Sequence, residues 1–98
     1  MNQQNLAILH QQRDTILTLA HQHGAYNVRV FGSVARGQAR PESDIDFLVN
    51  VKPIHSAWFP AGLVLDLEKL LGRKIDVVTE ETLHAAIRSQ ILQEAIPL

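Results

Sequence analysis

Residues 44–51 constrain this chain more than any other segment. Asp44-Ile45-Asp46-Phe47-Leu48-Val49-Asn50-Val51 alternates with a period of two, setting Ile45, Phe47, Val49 and Val51 on one face and Asp44, Asp46, Leu48 and Asn50 on the other. A strand with so apolar a face has to be covered by an equally apolar layer. The flanking sequence supplies that layer. Leu9, Ile16, Leu17 and Ala20 share one face of a helix predicted over 6–23, which Gly24 stops. Tyr26 to Phe31 reads as a strand with Val28 and Val30 facing the same way. Gly32 to Gly37 forms a glycine-bounded turn with room for one short helical turn, and a polar loop runs from Gln38 to Ser43. After a loop over 52–59, Pro60 opens a helix whose stripe is Leu63, Leu67, Leu70 and Leu71 and which Gly72 closes. Lys74 to Thr79 is a third strand, and a last helix runs over 81–95 with Leu83, Ile87, Ile91 and Ala95 on one side.

The order is helix, strand, turn, strand, helix, strand, helix. It predicts an α/β fold, a small mixed β-sheet flanked by helices, with an edge open to a partner. No repeat, low-complexity tract or linker divides residues 1–98, so a single domain is expected. The hydrophobic fraction of 46% is enough for a real core. With no cysteine, disulfide frameworks and thiolate metal sites are excluded. Residues 1–5 carry no charge pattern of a leader, and no apolar run spans a bilayer, so a cytoplasmic protein without membrane contact is expected. The nine Lys and Arg residues are scattered in a chain of net charge −1, which argues against direct nucleic-acid binding.

The carboxylates carry the chemistry. Period two puts Asp44 and Asp46 on one face, where unit charges about 5 Å apart repel by roughly 3 kcal/mol at an effective dielectric near 20. Ordinary sheet surfaces avoid such pairs. Asp76, in Lys74-Ile75-Asp76-Val77-Val78, is a further acid inside an apolar strand. Should the two strands lie side by side, three carboxylates converge, a hard-oxygen set suited to Mg²⁺ and to a pair of ions assisting in-line phosphoryl displacement. Asp76 is then the natural acceptor for the attacking hydroxyl's proton. Taken alone, each acid is better read as a solvated edge residue or an N-terminal helix cap.

Gly32-Ser33 follows a strand, in a turn whose backbone N–H groups can cradle an anion. Arg36 could fork a phosphate, and Ser43, immediately before Asp44, could add a hydroxyl. A Walker loop is excluded, because Gln38 and Ala39 stand where Lys and Ser/Thr are required. In isolation the Gly-Ser pair is an ordinary tight turn; its place before paired acids gives it weight.

Gly32-Ser33-Val34-Ala35-Arg36-Gly37 followed by Ser43-Asp44-Ile45-Asp46-Phe47-Leu48-Val49 closely resembles the signature of the DNA polymerase beta nucleotidyltransferase superfamily. Within it, the resemblance is to the minimal nucleotidyltransferase (MNT) group, and residues 67–79 resemble that group's helix-to-third-strand segment. The resemblance implies that Gly32 and Ser33 contact the triphosphate, that Asp44 and Asp46 bind metal, and that Asp76 is the third catalytic carboxylate. Arg36 and Ser43 carry over as nucleotide contacts. No residues remain for an acceptor-binding domain, so the acceptor is expected on another protein. Similar proteins are commonly antitoxins of HEPN–MNT toxin–antitoxin pairs, which implies ATP as donor, Mg²⁺ as cofactor and AMP transfer to a tyrosine of a HEPN RNase toxin. Alternatives are a non-catalytic antitoxin that masks its partner, or transfer to a small molecule or RNA end. Trp58 and Phe59 either anchor a partner or cap the core. The five histidines read as surface or partly buried polar groups, and Lys52, Lys69, Arg73 and Lys74 as solvated charges.

Overall fold

The computed structural model describes residues 4–55 and 57–98. Residues 1–3, within the segment 1–5 read for a leader, and Ser56 of the 52–59 loop lie outside them.

Strand β2 (Ile45–Val51) is central, as its alternation requires. It pairs antiparallel with β1 (Ala25–Phe31) and parallel with β3 (Ile75–Thr79). A parallel neighbour cannot be reached by a hairpin, and helix α4 (Ala61–Leu71) makes the crossover. A two-residue strand β4 (Ile96–Pro97) adds to the far side of β1, giving a mixed sheet in the order β3-β2-β1-β4.

One face of the sheet meets α4 and two N-terminal helices, α1 (Gln4–Gln11) and α2 (Arg13–Gln22). Leu9, Ile16, Val30, Phe47 and Val49 are wholly buried there, with Leu63 and Leu67 of α4 at 1% exposure. Each such side chain contributes roughly 1.5–3 kcal/mol over its exposed state. The N-terminal pair corrects the continuous helix expected over 6–23. Gln12, at φ −97° and ψ 11°, interrupts it, although Gln12 N still donates to Ile8 O at 3.0 Å and Ile16 N to Gln12 O at 2.9 Å. Helix α4 ends as Gly72 anticipated, with that residue left-handed at φ 65°.

The last helix departs further. It is shorter, α5 (Ala85–Glu94), preceded by a 3₁₀ turn over Glu80–Thr82, and it buries no residue. Ile87 is 45% exposed, so the apolar side foreseen for it is not a core face. Polar contacts hold it instead. Arg88 Nη1 donates to Glu80 O at 2.6 Å, and Glu80 in turn pairs with the buried Arg29 at 2.7 Å. That guanidinium holds the Glu80 carboxyl below the ordinary carboxylate range. Among the described residues no helix is long and apolar enough to cross a membrane.

Candidate active site

The parallel pairing of β2 and β3 sets Asp46 directly opposite Asp76. Neighbouring strands lie about 4.8 Å apart, and residues in register share a face. Asp44 stands one residue before β2, where Ile45 N donates to Lys74 O at 2.9 Å and ties the strand start to the start of β3. Register thus brings two of the three acids together, Asp46 and Asp76, while Asp44 acts on Asp46 through its charge.

Loop 40–43, which leads into Asp44, is held by Arg73. Its Nη1 donates to Asn5 Oδ1 at 2.6 Å, its Nη2 to Ser43 O at 2.6 Å and to Arg40 O at 3.1 Å, and its Nε to Ser43 O at 3.2 Å. This corrects the reading of Arg73 as a solvated charge. Loop carbonyls outside the sheet ladder need donors, and a planar guanidinium brings five in a fixed fork. Ser43 also works inside the loop, its Oγ accepting from Arg40 N at 2.9 Å.

Asp46 is half-buried, and its pKa is raised from 3.8 to about 6. Burial is the main cause, followed by repulsion from Asp76 and Asp44; Arg36 acts in the opposite direction, and Glu94 adds a further push upward. A carboxyl so placed gains from any nearby positive charge. The hard oxygen donors of Asp46 and Asp76 match the one or two protein carboxylates that Mg²⁺ typically takes beside water and phosphate oxygens. Among the described residues no group of three or more His, Cys, Asp or Glu stands at ligand spacing. The in-register pair is the assembled part of the set, and substrate oxygens would complete the shell.

The glycine turn presses against this carboxylate. Gly32 opens the four-residue helix α3 (Gly32–Ala35) with φ +75°, a conformation L side chains resist. A Cβ built there would lie 2.3 Å from Asp46 Oδ2. Conformation and space both demand glycine, and the turn's backbone is brought to the acids because no side chain separates them. Ser33 is half-buried beside it.

Glu94 was missed by sequence reading. At the end of α5 its Oε2 accepts from Gly32 N at 2.7 Å, and Arg36 Nη1 donates to both its oxygens at 3.2 Å. Arg36 also reaches Gln38 through Nε at 3.0 Å. The one signal in the sequence is an acid in the last turn of a helix, where the helix dipole disfavours negative charge. Elsewhere, Phe59 packs against the core, the second of the two roles considered for the aromatic pair, while Trp58 is 78% exposed. His23 is partly buried, with Nε2 2.8 Å from Asp66 Oδ2. A cleft of about 420 Å³ runs along α5, lined by Ala85, Arg88, Ser89, Leu92 and Gln93, away from the acids.

The nucleotidyltransferase domain family matches residues 13–98, from the start of α2 to the last residue. The chain belongs to that family. This nucleotidyltransferase is 36% identical over 78 residues to protein adenylyltransferase MntA of Thermococcus cleftensis, covering 80% of this chain and 79% of that protein. It is 35% identical over 81 residues to a candidate protein adenylyltransferase of Methanocaldococcus jannaschii, covering 83% of this chain and 87% of the relative. A solved candidate minimal nucleotidyltransferase superposes with a TM-score of 0.83 at 46% identity, covering 100% of this chain and 97% of the other. The fold also recurs, at 20% identity and a TM-score of 0.72, in a toxin–antitoxin complex solved with AMP-PNP, over 86% of this chain and 69% of that one. The mixed four-stranded sheet with its helices is thus the minimal nucleotidyltransferase fold.

Proposed function

We propose that this nucleotidyltransferase transfers AMP from ATP onto a tyrosine hydroxyl of a HEPN-family RNase toxin and so acts as its antitoxin. The observation that carries the reading is the Asp46–Asp76 register with Gly32 packed onto Asp46, which sets the backbone of the glycine turn directly against paired acids. Relatives named as protein adenylyltransferases support a protein acceptor. Toxin–antitoxin complexes of the same fold, one of them with AMP-PNP, support a toxin partner and a nucleotide substrate.

In this reading Gly32 N–H, Ser33 and Arg36 bind the triphosphate oxygens and fix α-phosphorus before the acids. Asp44, Asp46 and Asp76 would hold Mg²⁺, in a two-ion arrangement that offsets charge on the attacking and leaving oxygens. Asp76 takes the proton of the tyrosine hydroxyl. The phenolic oxygen forms a new bond to α-phosphorus as the bond from that phosphorus to the bridging oxygen breaks, and pyrophosphate departs with the electron pair. Ser43 supports the geometry from loop 40–43.

The test is to incubate the purified HEPN partner with this chain, ATP and Mg²⁺ and to take the partner's intact mass. One or more AMP increments, absent with Asp44→Asn/Asp46→Asn and absent from a partner lacking the tyrosine, are expected. An unmodified partner sinks the reading. Neutralisation that survives the double Asn substitution assigns the protein to masking instead.

A further inference from the structure

The donors proposed for the triphosphate already hold an anion, and it belongs to the chain itself. Glu94 Oε2 lies 2.7 Å from Gly32 N, and both Glu94 oxygens lie 3.2 Å from Arg36 Nη1. Charge-assisted bonds of this kind are about twice as strong as neutral ones, and this carboxylate is largely sheltered, with its side chain 17% exposed. It also repels Asp46, so the arrangement sets one more negative charge against the acids rather than relieving them.

We propose that Glu94 is a built-in competitor for the triphosphate subsite, seated on Gly32 and Arg36 until a metal-bound polyphosphate displaces it. The proposal rests on the nucleotide-binding reading above. The surrounding fold keeps the competitor close without locking it. Two residues later β4 is hydrogen-bonded to β1, with Val30 opposite Ile96, and Leu98 N donates to Val28 O at 2.9 Å. The backbone at Glu94 is thereby tethered beside the turn. Helix α5 contributes no fully buried residue, so moving its last turn empties no core space. Release needs only a rotation about the Glu94 side-chain torsions, and return is intramolecular, at high effective concentration. A lone weak anion meets this competitor at a disadvantage. A triphosphate that also engages a metal at the acids brings enough further contacts to evict it.

Two measurements on the full chain test this. Titration calorimetry with Mg²⁺ and AMP-PNP should show Glu94→Ala and Glu94→Gln binding about tenfold more tightly than the parent, the worth of one modest charged contact. Equal or weaker binding by both variants, with the parent binding normally, overturns the competitor and leaves the nucleotide reading intact. Absence of binding in all three proteins overturns the nucleotide reading itself. Independently of any ligand, the Gly32 amide resonance should move upfield in Glu94→Ala, since it loses a charged acceptor. A Gly32 resonance unchanged in a folded Glu94→Ala protein removes the contact on which the proposal stands.

Discussion

At Gly32 two separate demands fall on one residue. Its φ of +75° excludes most side chains by conformation, and the Asp46 carboxylate excludes them by space, with a built Cβ only 2.3 Å from Oδ2. Gly37 shares the first demand and not the second, having φ +72° and nothing within 4 Å of a built Cβ. The pair therefore separates strain from collision. Gly37→Ala should cost roughly 1–2 kcal/mol of stability, the ordinary left-handed penalty, while largely keeping nucleotide affinity. Gly32→Ala should cost more than that and should also lose nucleotide binding, because the methyl must push Asp46 or the turn aside. Urea melts of both variants beside AMP-PNP titrations decide it. Equal effects of the two substitutions would show that the close approach to Asp46 is immaterial.

Strand β2 and its acids were legible because a period of two is a strong local signal, and an acid pair on one face is a local anomaly. The Asp46–Asp76 register was not, since it depends on how α4 returns the chain to the sheet. Helix α5 was half-legible: Ile87 and Ile91 fit a helical stripe, but nothing local says that the stripe lacks a core to face. Glu94 and Arg73 escaped because their partners lie far along the chain, at Gly32 and Arg36 in one case and at Asn5, Arg40 and Ser43 in the other. Arg73 links α1, the loop before Asp44 and the approach to β3, so its loss acts on the element that delivers the first acid. Arg73→Ala should lower stability by about 2 kcal/mol, as expected for several partly buried charged bonds, and should raise the KM for Mg-ATP as the loop slackens. Arg73→Lys should recover little, because a single ammonium cannot span the fork of carbonyls. Full recovery by lysine would reduce Arg73 to a point charge.

Across the whole molecule, the site opposes the fold. Asp46 titrates near 6 in the native state against 3.8 as its reference, so between those values the folded chain holds a proton that the unfolded chain has released. Stability therefore falls as pH rises from about 4 to 6 and stays lower above, where the ionised carboxylate faces Asp44, Asp76 and Glu94 and Arg36 offsets them only in part. Asp46→Asn removes that loss. The variant should melt a few degrees above the parent at pH 7.5, with the gap closing toward pH 4, given about 4–8 °C per kcal/mol in a domain of this size. Ligand reverses the ranking. Mg²⁺ with AMP-PNP at a hundredfold excess over Kd should stabilise the parent by about 2.7 kcal/mol and leave Asp46→Asn nearly unmoved, since the charge that destabilises the free protein is the one proposed to hold the metal. Melting curves of both proteins at pH 4, 6 and 7.5, with and without Mg-AMP-PNP, test the two halves together. An Asn variant that melts below the parent at pH 7.5 would remove the electrostatic cost. One that gains as much from ligand as the parent would remove Asp46 from the metal site.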